Sequence, residues 1–376
     1  MNPRRLVIFG IIAVVAITLG VFLANRQTEL RLNGEELLYP DLKAQADSVK
    51  AIRIYKAGDA RAVEVLRNGA EWTLTERNGH PISAAKAINL VRALSNAKIL
   101  EEKTSDPTKY ASLSVEDVQS ADAKGVRIEL EGPATPVNLI VGKDGPGNSS
   151  YVRRVGEEKS WLVSEQLSAS PEPRDWLDKD IINVSADRVQ SATVEIAGQK
   201  PYTASKSSRA DENFAVAPLP KGKELSYEGA ANGFATALVS LTLDDVRPKS
   251  ELGDAKPAAK ATYQTFDGLK VEMQGYKLDD KYYLTITTSY DAELAEKFKV
   301  QTSAPADAEK KEGDADSSEA EKSAESENKS SEDDTATPDV SAEAKKVADR
   351  TANWVYEIPR YKYEAIFRPL DEMLKK

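Results

Sequence analysis

Residues 46–58 read ADSVKAIRIYKAG, and 140 residues later residues 186–198 read ADRVQSATVEIAG, with five of thirteen positions identical. In the first stretch Val49, Ile52 and Ile54 alternate with polar residues, the period of a half-buried strand. The segments after each stretch keep the same order. After the first come AVEVLRNGAEWTLTER, a hairpin around Asn68-Gly69, and HPISAAKAINLVRALSNAKIL. In that segment Ser83 is placed as an N-cap, and Ala84, Ala87, Ile88, Val91 and Leu94 form one helical stripe. VRIEL and VNLIVG read as strands, and YVRRV with SWLV as a further hairpin.

The second half answers in kind. NFAVAPL takes the place of EWTLTER, and a helix is expected with Ala231, Phe234, Leu238 and Leu241 on one face. ATYQTF, LKVEMQGY and KYYLTITTSY come next, the last two joined at Leu278-Asp279-Asp280. Trp161 precedes Leu177-Asp178 by the same sixteen residues that separate Trp354 from Leu370-Asp371. The offset has grown from 140 to 193, so the second copy must hold about 53 extra residues. Residues 303–346 account for most of them. They contain no aromatic residue, and their 14 acidic and six basic residues supply a net −8 of the chain's −10. Such a composition cannot offset its ordering entropy, so a disordered insert is expected, with a short charged helix near residues 342–350 leading back to Trp354.

These readings predict an α+β fold. A stub and membrane helix occupy residues 1–27. A first unit of antiparallel sheet plus helix spans 28–184, and a second, similar unit by internal duplication spans 185–376, interrupted at 303–346.

Residues 6–24 are nineteen consecutive residues without a charge. At ~1.5 Å per residue they match the bilayer's hydrocarbon thickness. Leu6, Phe9, Ile12, Val15, Leu19 and Phe22 are the expected lipid-facing anchor. The run is longer than a signal-peptide core, and Phe22 is a poor −3 residue for cleavage at Ala24. Arg4 and Arg5 favour a cytoplasmic N-terminus, which places everything after residue 25 of this single-pass chain outside the cytoplasmic membrane.

Composition narrows the chemistry. With no cysteine and one histidine, His80, there is no disulfide, thiolate metal site or multi-histidine centre. The acidic balance speaks against nucleic acid. Residues 142–147, GKDGPG, lack the GxxxxGK[ST] order of a phosphate loop and read as a hairpin turn. Asp244-Asp245, at a helix end, and Asp279-Asp280, at a hairpin tip, read as solvated surface, and His80 as a loop residue. No catalytic, cofactor or metal residue is assigned. Trp354, Tyr356, Tyr361 and Tyr363 read either as strand-core packing or as a partner surface.

The segment VNLIVGKDGPGNSSYVRRVGEEKSWLVSEQL, with DWLDKDI after it and GAEWTLT and a helix upstream, resembles domain-of-unknown-function family 4340. The resemblance covers residues 46–184 well and the second copy more loosely. It implies a bacterial protein with one N-terminal anchor, accessory to an ABC-type transport system related to gliding-motility auxiliary proteins. It brings no site residues. The expected function is therefore a non-enzymatic periplasmic scaffold or binding subunit whose partners are the transporter's membrane subunits. The rival is a cell-envelope enzyme acting on glycan or peptidoglycan through carboxylates.

Overall fold

A computed structural model of the chain describes residues 36–299 and 339–376. The expected anchor, Leu6 to Phe22, and residues 303–338 of the acidic stretch lie outside the described residues. Among the described residues no helix is long and apolar enough to cross a membrane. The chain divides into two units, Met1–Asp178 and Lys179–Lys376. Both are mixed α+β and built on antiparallel sheets.

The first unit holds a nine-stranded sheet. Its strands are β1 (Ala51–Lys56), β2 (Ala60–Asn68), β3 (Glu71–Leu74), β4 (His80–Ile82), β5 (Ile99–Thr104), β6 (Val126–Glu131), β7 (Val137–Asp144), β8 (Ser150–Arg154) and β9 (Ser160–Val163). Their order is β4-β3-β2-β1-β6-β7-β8-β9-β5. Register is set by burial. Ile54 of β1 sits opposite Val63 of β2 and Ile128 of β6, and Ile128 sits opposite Leu139 of β7. All four are fully buried. A slip of one residue would turn that row to solvent.

β4 and β5 are the two edges of the sheet, and the helix Ala84–Asn96 joins them. Its buried residues are Ala87, Leu90, Val91, Leu94 and Ser95, an i, i+3, i+4, i+7 pattern closed by Ser95, whose hydroxyl donates to Val91 O at 2.7 Å. Ile88, expected in that stripe, is 45% exposed. Ile88 and Leu90 are two positions apart, about 200° around the helix, so the two cannot face the core together, and Leu90 takes the buried place.

Two glycines show how tightly the sheet is covered. A Cβ on Gly142 of β7 would lie 2.1 Å from Leu113 O, and one on Gly125 would lie 2.2 Å from Ser114 O. The one-turn helix Tyr110–Leu113 thus presses its backbone directly on the strands. GKDGPG is therefore the end of β7 and its turn into β8. His80 is not in a loop. It lies in β4 opposite Leu74 and is buried, because the turn ends at Gly79, whose positive φ frees the next residue to extend.

The second unit contains an eight-stranded sheet. Its strands are β11 (Val189–Ile196), β12 (Tyr202–Ser205), β13 (Ala215–Ala217), β15 (Asp245–Pro248), β16 (Ala259–Thr265), β17 (Leu269–Leu278), β18 (Lys281–Tyr290) and β19 (Trp354–Ile358). β10 (Asp180–Ile182) and β14 (Leu241–Thr242) pair separately. The order is β13-β12-β11-β16-β17-β18-β19-β15. Without β4, the first sheet runs in the same order, strand for strand. The 140-residue offset sets Ile54 beside Val194, which sits opposite Tyr202 and Ala261.

The two units differ in their connections. The expected second helix is a single turn, Gly233–Thr236. Ala231, Phe234, Leu238 and Leu241 are all buried, but Asn232 and Gly233 are poor helix formers, and Ser240 adopts φ +46°. Asp244-Asp245 accordingly borders β15 rather than a helix end. The β8–β9 connection is residues 155–159, whereas β18–β19 spans residues 291–353. Within it lie the helices Ala292–Lys299 and Val340–Thr351.

The second of these helices corrects the insert's boundary, expected at 346. Asp339 caps it, accepting from Ser341 N and Ala342 N at 3.0 and 3.1 Å. Ala344 and Val347 are buried, and Thr288 Oγ1 of β18 donates to Ala344 O at 2.6 Å. Glu343 pairs with Arg188 at 2.8 Å. Residues 340–346 are therefore helical and packed. Ala344, Val347 and Thr351, at i, i+3 and i+7, supply the buried face that the charge count concealed.

Candidate functional site

Two grooves flank the Ala84–Asn96 helix. The first, about 530 Å³, is bounded by Lys86, Asn89, Leu90 and Ala93 on the helix and by Gln166, Ser168, Ser170, Asp175 and Trp176 opposite. The opposing loop is fixed by its own bonds. Trp176 Nε1 donates to Ser170 O at 2.9 Å, and Ser170 Oγ donates to Asp175 Oδ2 at 2.7 Å. Lys86 Nζ donates to Leu177 O at 2.8 Å, tying the loop to the helix.

The second groove, about 590 Å³, lies on the other flank, with Ala84, Ile88, Val91, Arg92, Ser95 and Asn96 on one wall. Its remaining lining comes from Lys43, Ala46, Asp47, Arg67, Ala70 and Trp72. Trp72 is only 4% exposed. Arg67 lies over its ring at 5.7 Å, donating to Gly69 O at 3.0 Å and Asp47 O at 2.9 Å. Ile88, left out of the core, stands at the lip. Grooves with apolar floors beside an exposed aliphatic residue are the geometry that receives a side chain from another protein.

A polar cleft of about 640 Å³ occupies the second unit, lined among others by Asp244, Asp279, Asp280, Glu357, Lys277, Lys281 and Arg360. The fold brings together here Asp244, of one acidic pair singled out in the sequence, and both members of the other, Asp279 and Asp280. Asp279 and Asp280 form a two-residue hairpin loop, both at positive φ. Lys281 Nζ bonds Glu357 Oε2 at 2.9 Å, and that hydrogen bond raises the lysine's pKa. Among the described residues no group of three or more His, Cys, Asp or Glu is arranged to hold a metal ion.

The four aromatics, read either as strand-core packing or as a partner surface, divide between the core and the surface. Tyr356 and Tyr363 are buried, and only Tyr361 is well exposed, at 65%. Trp354 is half-buried at the start of β19, opposite Pro248. Burial pushes the Tyr363 hydroxyl up to about 12, and its ring packs on Tyr282 and Phe367 at 4.9 and 4.7 Å. Tyr356 is buried because β19 is covered on both faces: Val355 and Tyr356, which point to opposite sides, are both buried. Tyr361 and Tyr363 instead lie on the helix Arg360–Ile366, which buries Tyr363 and leaves Tyr361 outside. The residues that do line a groove, Lys43, Arg67, Trp72, Ile88 and Arg92, are far apart in sequence. The available signal was the helix itself, which carries more apolar positions than one core-facing stripe can bury.

The fold and grooves define an α+β protein of two antiparallel-sheet units, one bearing a grooved helix. The chain belongs to the family described as Domain of unknown function (DUF4340), whose sequence model matches residues 72–265. The match runs from β3 to the end of β16, covering most of the first unit and the first part of the second. No curated protein and no solved structure matches the chain.

Proposed function

We propose that the chain is a membrane-anchored, extracytoplasmic accessory or scaffold subunit of an ABC-type transport system. It has no catalytic role of its own and docks onto the system's membrane subunits. In this reading residues 6–24 anchor it in a bacterial inner membrane with the N-terminus cytoplasmic, and its two units arose by internal duplication. The shared strand order supports the duplication. The observation that carries the docking role is the Ala84–Asn96 helix, flanked by two grooves and presenting Ile88 to solvent.

The test is site-directed photo-crosslinking of the full chain in native membranes. A crosslinker at Ile88 should yield adducts with transporter membrane subunits, while one at exposed Tyr227 in the second unit should not. Equal labelling from both positions defeats the docking reading.

The second reading, an envelope enzyme on glycan or peptidoglycan, has one observation in its favour: Asp244, Asp279, Asp280 and Glu357 share a cleft. Against it, Glu357 is already bonded to Lys281. Glu357→Gln and Asp244→Asn should leave cellular function intact. Its loss in both, with protein levels unchanged, would favour the enzyme.

A further inference from the structure

The second groove has an apolar floor and a cationic rim. Buried Trp72 and Val91 form the floor, three alanines line the sides, and Lys43, Arg67 and Arg92 surround it with Asp47 as the single carboxylate. Among the described residues none of these three cations is in an ion pair. Arg67 gives its N–H groups to two backbone carbonyls and its face to Trp72, and Arg92 Nη1 donates to Asn89 Oδ1 at 3.3 Å. Three cations without carboxylate partners run against the average of a chain carrying a net −10.

Resting on the docking reading above, we infer that this groove binds an acidic amphipathic segment of a partner protein. A bulky apolar side chain of the partner seats against Trp72, Val91 and Ile88. Flanking Asp or Glu residues meet Lys43, Arg67 and Arg92, where charge complementarity fixes register and speeds encounter.

Shape and sequence separate this occupant from two others. A bilayer is flat and is read by protruding apolar residues, whereas Trp72 lies at the bottom of a recess with a guanidinium folded over it. The chain's own residues 303–338 carry acidic charge but contain no Val, Leu, Ile, Met or aromatic residue to fill the floor.

The experiment is selection of a displayed random-peptide library on the full chain in nanodiscs, counter-selected on an Ile88→Ser/Arg92→Glu variant. Both positions are exposed, and an unchanged thermal midpoint verifies that the variant folds. Enriched peptides should combine Leu, Phe, Tyr or Trp with flanking Asp or Glu. They should bind the variant roughly tenfold or more weakly and lose affinity as salt rises. Free phosphatidylglycerol vesicles should not displace them. Groove-dependent peptides without acidic residues overturn the charge assignment and leave docking standing. Enrichment indifferent to both substitutions overturns the docking site itself. Displacement by the vesicles assigns the groove to anionic lipid and overturns the proposal.

Discussion

Glu64 shows how a single residue of the first sheet is held. It sits on β2 opposite Arg53 of β1, and its carboxylate takes the Arg53 Nε–H at 2.7 Å. Burial works to raise its pKa, but the Arg53 hydrogen bond, the Arg61 charge and Thr75 outweigh it, so the group lies below the usual 4.5. A depressed folded-state pKa gives stability that is fully present above 4.5 and is lost as pH falls through the lower folded value. Glu64→Gln should therefore flatten the acid side of the thermal-midpoint profile while changing its slope little near neutrality. Scanning fluorimetry across pH reads this directly, and an unchanged acid limb would refute the role given to Glu64. Gly142 makes a steric counterpart. Gly142→Ala should destabilise the first unit by about 1–3 kcal/mol in urea titrations, because Leu113 O cannot recede without lifting a backbone turn. The sequence offered no hint of that: GKDGPG looks like a turn from end to end, and a close approach by backbone 29 residues upstream leaves no local pattern.

At the scale of elements, the Val340–Thr351 helix marks where composition stops being informative. Replacing residues 303–338 with a short Gly/Ser linker should shift the thermal midpoint by only a few degrees, since loop closure costs roughly 0.6 kcal/mol per doubling of length. Extending the replacement to 346 removes buried Ala344 and the Glu343–Arg188 pair. It should broaden or abolish the cooperative transition. Asp339→Ala alone should cost about 1 kcal/mol as a lost N-cap. Calorimetry of the three variants ranks them, and equal midpoints for the two replacements would show that the helix adds nothing. The strands with clear alternation, such as β6, β17 and β18, were legible in the sequence. β5 and β15 were not, because ILEEKT and DVRP are edge strands whose pairing comes from distant partners, and β4 was not, because HPI is only three residues with a proline at its centre. The groove was half legible. Ile88 was recognised as apolar and helical, but its exposure depends on Leu90 winning the core position, which only packing decides.

For the molecule as a whole, each unit holds its own sheet and core, so residues 36–178 produced alone should give a cooperative unfolding transition and a β-rich circular dichroism spectrum. A non-cooperative melt would contradict that division. Alkaline phosphatase fused after Lys376 tests the proposed orientation, and an inactive fusion in whole cells would reject it. The edge strands carry a consequence for biosynthesis. β5 cannot pair until β9 is made, and β15, at residues 245–248, must await β19, at residues 354–358. Each sheet therefore begins in its interior and is finished by a late strand inserted between two already synthesised neighbours, β5 and β8 in one, β15 and β18 in the other. Long-range closure of this kind slows folding and prolongs the exposure of unpaired edges. In the second unit the wait includes the whole acidic stretch, whose charge discourages association of the nascent chain while β15 and β18 stand open. A stop codon just before Trp354 would then be far more damaging than a deletion inside residues 303–338, leaving a polypeptide with two unsealed edges and a tendency to aggregate.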